Sequence, residues 1–189
     1  YHRAIEIIEL NYGVNDLRLL APLRGLASAR MFEITQRRYA ETALLRSQEI
    51  VDSNPNSERT DRAQVLVDLG DFYTITSDKR GKETYLSAWA ILQETPGTQQ
   101  LASSLFDSPL RLYPRESPFL FLDRTPDGVT PGVELFADLQ YDISPDGRVQ
   151  GIEIIDKNVP NKGVRLLRQI FRASRYRPRI QDGELVSTE

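Results

Sequence analysis

An alternation of apolar residues with mostly polar ones in the last third of the chain most constrains its fold. The apolar positions within residues 133–143 are Val133, Leu135, Ala137, Leu139, Tyr141 and Ile143. Because successive side chains of a strand point to opposite faces, this segment is predicted to be a half-buried strand. Residues 144–147 supply a proline and a glycine for a tight turn. Residues 148–157 then predict the return strand of a hairpin, in which the adjacent Ile154 and Ile155 indicate partial cover on both faces.

An amphipathic helix is predicted to follow the hairpin, over residues 162–174. Residues 158–161 interrupt the strand with a proline, and Asn161 is the candidate N-terminal cap. Apolar residues recur at helical spacing and would pack on the sheet, with arginines on the opposite face. The apolar positions are Val164, Leu167, Ile170 and Phe171, and the arginines are Arg165, Arg168, Arg172 and Arg175. Pro178 then indicates that the next strand is short or lies at a sheet edge.

This order of elements resembles the C-terminal domain of the TonB family, over about residues 133–189. The resemblance is carried by the hairpin around Asp146-Gly147, the helix, Arg175-Tyr176-Arg177-Pro178, and Gly183 before Leu185-Val186. It implies a periplasmic domain of the Gram-negative envelope that pairs with an extended segment of an outer-membrane receptor. We expect the strand after Pro178 to be a free edge that accepts an added strand or the same edge of a second copy, giving a homodimer. The candidate edge residues are Arg177, Arg179, Ile180, Leu185 and Val186.

The first half of the chain contains a helical repeat. Segments 1–10, 39–51 and 83–92 align with a period of about 42 residues when Ala4, Ser47 and Ala88 are superposed, which is typical of a helical solenoid. First helices of the pairs are predicted at residues 17–34 and 59–76, and a further short helix at 101–106. The chain over residues 1–95 resembles tetratricopeptide repeats, in which small residues let paired helices approach closely. The positions that carry this resemblance are Leu69-Gly70, Tyr73, Gly81, Tyr85 and Ala88.

The repeat resemblance implies a concave inner face formed by the first helix of each pair. Mixed polar side chains with one adaptable methionine suit a peptide-binding groove, although such repeats can also serve only to separate domains. By their spacing from Leu26 and Leu69, the candidate groove residues are Arg24, Ser28, Met31, Gln64, Asp71 and Thr74.

The chain is therefore predicted to have an α+β fold, since 189 residues suit two small domains better than one. The predicted organisation is a helical domain over residues 1–108, a proline-rich connector over 109–131, and the TonB-like domain over 132–189. The connector contains many apolar residues and is expected to pack across the domain junction. Because the chain begins inside a helix, we expect the repeat array to be cut at that end. Any membrane contact would then come through a segment upstream, because no apolar run here is long enough to span a bilayer.

Charge and reactive residues favour binding over catalysis. The net charge is −3, there is no cysteine, and His2 is the only histidine. No thiol nucleophile, thiolate metal site or glycine-rich phosphate loop is present, so we expect no catalytic residue, no metal and no cofactor. Two alternatives stay open. The arginine-rich segment 162–179 suits nucleic acid, although the acidic chain as a whole disfavours it, and carboxylates such as Asp138 and Asp142 would suit a hydrolase.

Taken together, these patterns predict a non-catalytic protein-binding adaptor, and the TonB resemblance implies that it belongs to the bacterial cell envelope. Its partner is expected to be a protein or peptide, which binds in the repeat groove, at the sheet edge, or at both. The TonB resemblance adds a periplasmic location and a role related to TonB-dependent transport.

Overall fold

A computed structural model describes residues 1–113 and 135–188 of the chain. The chain divides into two compact units, Tyr1–Asp107 with Ile180–Glu184, and Ser108–Arg179 with Leu185–Glu189. The first unit is mainly helical and the second combines strands with one helix, so the predicted α+β class is confirmed. The described helices are α1 (His2–Tyr12), α2 (Leu20–Arg30), α3 (Arg37–Ser53), α4 (Arg59–Thr76), α5 (Arg80–Glu94), α6 (Gln99–Phe106) and α7 (Asn161–Ala173). The described strands are β1 (Leu110–Tyr113), β2 (Ala137–Ile143), β3 (Val149–Lys157), β4 (Arg175–Arg177), β5 (Arg179–Gln181) and β6 (Glu184–Val186).

The helices of the first unit largely follow the sequence prediction. Helix α4 spans the residues predicted for it, whereas the helix predicted over 17–34 is shorter than expected. Its first residues form a 3-10 turn, in which the Arg18 backbone N–H donates to Asp16 Oδ1 at 2.9 Å. Pro22 lies in the first turn of α2, where its missing N–H is tolerated. The helix ends at Arg30, and Glu33 beyond it has an extended backbone.

Small residues bring α4 and α5 into close contact. A Cβ atom built on Gly70 would lie 2.5 Å from the ring of Tyr85, so only glycine fits against this ring. Tyr85 is 1% exposed and donates a hydrogen bond to Asp71 Oδ1 at 2.8 Å. Gly81 faces Tyr73 from the start of α5. The close approach expected from the spacing of these residues is therefore present at this helix pair.

Helices α3 and α5 bury equivalent faces, but α1 does not. Ser47 and Ala88, which align in the repeat, are both fully buried, whereas Ala4 at the aligned position of α1 is exposed. Helix α3 packs between α2 and α4, and α5 packs between α4 and α6. Helix α1 packs mainly against α2 and the turn before it, and Glu9 on α1 also forms an ion pair with Arg46 on α3 at 2.6 Å.

The second unit is built around the hairpin of β2 and β3. In the antiparallel register, Ile143 faces Val149 and Ala137 faces Lys157, with two irregularities between these ends. Gly147 has a φ of 70° and closes the turn as expected. The predicted alternation is confirmed over β2, where Ala137 and Ile143 are buried and the intervening polar residues are more exposed. Val133, at the start of the predicted strand, lies outside the described residues.

Helix α7 covers one face of this hairpin with the phase that the sequence predicts. Val164 and Leu167 pack with Ala137, and Phe171 packs with Ile143 and Val149. Arg165, Arg168 and Arg172 are exposed on the other side of the helix.

Two local predictions on this hairpin and helix are wrong. Asn161 is the first helical residue rather than the cap, which is Pro160, and its side-chain oxygen accepts a hydrogen bond from Lys157 instead. Ile155 is not covered, because an irregularity in the register turns it outward and leaves it 63% exposed.

The remaining strands form two short pairs. Strand β1 pairs with β4, where Leu110 faces Arg177, and β5 pairs with β6 across a turn in which Gly183 has a φ of 82°. Single bridges join Arg148 to Arg175 and Ile143 to Thr188. The packing predicted for the connector, residues 109–131, lies outside the described residues from residue 114 onward.

Candidate binding surfaces

Two of the predicted groove residues meet at a third residue that the sequence reasoning missed. The guanidinium group of Arg24 on α2 forms an ion pair with Asp68 on α4. The Gln64 amide donates to Asp68 Oδ1 at 3.3 Å from one turn earlier on α4. The spacing of four residues between Gln64 and Asp68 is the signal that could have identified Asp68, because it places both side chains on one helix face. Arg24, Gln64 and Asp68 therefore form a polar cluster that joins α2 and α4.

The other predicted groove residues are less accessible than a groove lining requires. Met31 is 6% exposed and Thr74 is 8% exposed, so neither offers a surface to a partner. Ser28 is half-buried, and Asp71 is engaged by the Tyr85 hydroxyl. The partly accessible residues of the predicted groove are thus Arg24, Ser28, Gln64 and Asp71, all of which are half-buried.

The predicted sheet edge is partly enclosed. Arg177 is 6% exposed and lies in β4, which has β1 as its partner strand. Ile180 is 3% exposed, whereas Arg179, Leu185 and Val186 are half-buried. The two strands after Pro178 pair with each other and are three residues long each. This part of the chain presents only a short edge for strand addition.

A longer edge lies on β3, which the sequence reasoning did not single out. This strand has nine residues and pairs with β2 along one side. In the described parts of the chain no strand runs along its other side beyond the bridge from Arg148 to Arg175. Ile152 and Ile154 pack toward α7, and Glu153, Ile155 and Asp156 are exposed. The available backbone and the mixed side chains make β3 the better candidate for strand addition.

The polar groups between α3, α4 and α5 are fully engaged with one another. The Arg80 guanidinium donates to the Tyr73 hydroxyl at 3.0 Å, to Glu41 Oε1 at 2.9 Å and to both oxygens of Asp78. Burial raises the pKa of Tyr73, and the hydrogen bonds from Arg80 lower the pKa of Asp78. This cluster fixes the turn between α4 and α5.

A tyrosine pair sits under α7 in the second unit. The hydroxyls of Tyr141 and Tyr176 are 3.0 Å apart and share a hydrogen bond. Burial raises the pKa of Tyr176 well above its ordinary value, and the bond to Tyr141 adds to the effect. Both rings stabilise the packing of Phe171, whose ring centroid lies 5.1 Å from that of Tyr141.

The described residues contain little that could carry chemistry. Within residues 1–113 and 135–188, no three histidine, cysteine or acidic side chains come together in a way that could hold a metal ion. His2 lies 2.9 Å from the Arg30 guanidinium at an exposed position. Asp138 is exposed and Asp142 half-buried on an open sheet face.

Comparisons with known proteins give no relative for this chain. No protein-family model, no curated protein and no solved structure matches it. Both resemblances noted in the sequence, to TonB domains and to tetratricopeptide repeats, therefore stay predictions. None of the described helices is long and apolar enough to cross a membrane.

Proposed function

We propose that this chain is a non-catalytic protein-binding module that takes an extended peptide segment along the free edge of β3. The observation that supports this most directly is the nine-residue strand that has a strand partner on one side only, within the described residues. An unpaired edge presents backbone N–H and C=O groups that an incoming strand can satisfy. The edge after Pro178, which the sequence favoured, is shorter and more enclosed.

The side chains beside this edge define the peptide that would fit. An added strand alternates its side chains between the two faces of the sheet. On the face covered by α7 it would meet Ile152 and Ile154, which suit apolar residues. On the other face it would meet Glu153 and Asp156, which suit lysine or arginine. The proposed ligand is therefore an extended segment that alternates basic and apolar residues.

The wider role follows from the resemblance to TonB domains and is part of the same proposal. The module would work in the periplasm as an adaptor, and its ligand would be a segment of an envelope protein such as an outer-membrane receptor. Fractionation of a Gram-negative host that expresses the full-length gene tests the compartment. Recovery of the protein in the cytoplasm would contradict it.

Titration of amide resonances tests the site directly. The 15N-labelled chain is titrated with a nine-residue peptide that alternates valine and lysine. We expect saturable shifts over residues 151–157, because these amides lie along the edge that gains a partner. The same peptide with its central residue replaced by proline is the matched control, since proline cannot donate the hydrogen bond and interrupts a paired strand.

Two results would overturn the assignment of the edge. Equal shifts with the proline peptide would mean that pairing of the backbone is not involved. Shifts confined to Arg24, Ser28, Gln64 and Asp71 would place the peptide on the inner face of the helical unit instead. Replacement of the lysines by aspartates should abolish binding at β3, because Glu153 and Asp156 repel them.

A further inference from the structure

The second unit separates its charges onto two faces. Asp138 and Asp142 on β2, with Glu153 and Asp156 on β3, lie on the sheet face turned away from α7. Asp138 stands directly opposite Asp156 in the register. Like charges at directly opposite positions destabilise a strand pair. The described residues place no ion-pair partner beside these four carboxylates, so a cationic partner would relieve their repulsion.

The exposed face of α7 carries the opposite charge. Arg165, Arg168 and Arg172 follow one another at intervals of three and four residues, so they form a single stripe. All three side chains are exposed, and none has an ion pair within the described part of the chain. The stripe extends about 10 Å along the helix axis. We name it the arginine stripe.

We propose that the arginine stripe of one copy of this chain docks on the acidic sheet face of a second copy. The two charged surfaces are similar in length, because Asp138 and Asp142 are about 13 Å apart along β2. Phe136 and Ile155 are 41% and 63% exposed beside the carboxylates and supply apolar area at the same site. The occupant is therefore α7 of another copy, whose exposed face is complementary to the acidic face in sign and length.

The arrangement of the two surfaces determines the kind of assembly. The arginine stripe and the acidic face lie on opposite sides of the same helix-on-sheet layer. A contact between unlike surfaces leaves one of each unoccupied at the two ends, so copies add head to tail. Exposed ion pairs are weak and screened by salt, so association should depend strongly on protein concentration and on ionic strength.

Sedimentation velocity on the whole chain, after removal of nucleic acid, tests the proposal. In about 0.01 M salt, where the screening length is about 30 Å, the average mass should rise with protein concentration. In about 1 M salt, where it is about 3 Å, the chain should sediment as a monomer. The sheet variant carries Asp138→Asn, Glu153→Gln and Asp156→Asn. The helix variant carries Arg165→Gln, Arg168→Gln and Arg172→Gln.

Mixing these two variants gives the decisive result. Each variant alone should remain a monomer in low salt, because it retains only one of the two surfaces. The equimolar mixture should form a dimer and nothing larger, because it contains one acidic face and one arginine stripe per pair. Cooperative thermal melts, recorded by circular dichroism, show that both variants are folded, and the sheet variant should melt no lower than the wild type because it loses the repulsion between Asp138 and Asp156. The helix variant should still bind the valine–lysine peptide at β3, so the two proposals fail independently.

Three outcomes would overturn self-association through these surfaces. The first is a wild-type chain that stays monomeric at every concentration in low salt. The second is a sheet variant or a helix variant that associates alone as strongly as the wild type does. A mixture that remains monomeric would also exclude it. If the monomeric wild type bound a DNA duplex and the helix variant did not, the occupant of the stripe would be nucleic acid.

Discussion

Replacing Gly70 by alanine should destabilise the helical unit, although alanine is the better helix former. Gly70 lies inside α4, where alanine favours the helix by about 1 kcal/mol. The added Cβ would lie 2.5 Å from the ring of Tyr85, well inside an ordinary van der Waals contact. The ring is 1% exposed and is held by Asp71, so it has little freedom to move. Steric strain therefore opposes helix propensity at this position.

The steric cost of Gly70→Ala can be compared with its gain in helix propensity. Overpacking of a well-filled core costs about 1–3 kcal/mol, and the immobile ring places this site near the upper end. Subtracting about 1 kcal/mol for propensity leaves a net loss of about 2 kcal/mol. For a unit of this size, that corresponds to a fall in Tm of roughly 10 °C. Trp89, the only tryptophan, lies in α5 and reports the transition by fluorescence.

Gly163→Ala in α7 is the matched control. There the added Cβ would lie 3.5 Å from Val159, which is an ordinary contact. We therefore expect stabilisation of about 0.5–1 kcal/mol, measured by urea unfolding followed by circular dichroism. If Gly70→Ala also stabilised the protein, the close contact between α4 and α5 would be refuted. In a Tyr85→Leu background the side chain facing residue 70 is smaller, so Gly70→Ala should cost less unfolding free energy than it does in the wild type. A double-mutant cycle measures this difference.

Two further predictions concern the packing beneath α7. Phe171→Ala should cost about 3–5 kcal/mol because the ring is buried against the sheet, whereas Arg168→Ala on the exposed face should cost less than about 1 kcal/mol. Equal losses in thermal melts would mean that the helix faces have been assigned incorrectly. The folded-state pKa of Tyr176 lies above the unfolded value of about 10. The stabilisation that the buried, protonated Tyr176 hydroxyl provides should therefore be complete below about pH 10 and disappear as the pH rises through the folded pKa. Urea unfolding at increasing pH measures this loss. Tyr176→Phe should flatten this alkaline loss, and an unchanged slope would contradict the assignment.

Elements that depend on local periodicity could be predicted from the sequence. Helix α4 has the bounds that its pattern indicates, and the apolar face of α7 is the one that its spacing defines. The hairpin turn at Gly147 was equally clear, because proline and glycine restrict the backbone there. Such signals arise within a few neighbouring residues and need no knowledge of the rest of the chain.

Features that depend on pairing between distant segments could not be predicted in the same way. The sequence placed the free edge after Pro178, but Arg177 is buried beside β1, a strand more than sixty residues earlier. Ile155 is exposed because a register irregularity shifts it, and no local pattern marks that shift. The ion pair between Arg24 and Asp68 likewise depends on α2 lying beside α4, although the spacing from Gln64 marks the helix face of Asp68.

The helical unit is discontinuous in sequence, and this has a consequence for its synthesis. Residues 180–184 belong to it, and a Cβ built on Gly183 would lie 3.3 Å from the Trp89 ring. About 70 residues of the second unit separate them from the end of the helices. At roughly 5–20 residues per second, the ribosome needs about 4–15 s to make that stretch. Residues 180–184 therefore become available to the nascent helices only several seconds after the helices are made. During this interval the surface of Trp89 that Gly183 later contacts is available to a chaperone.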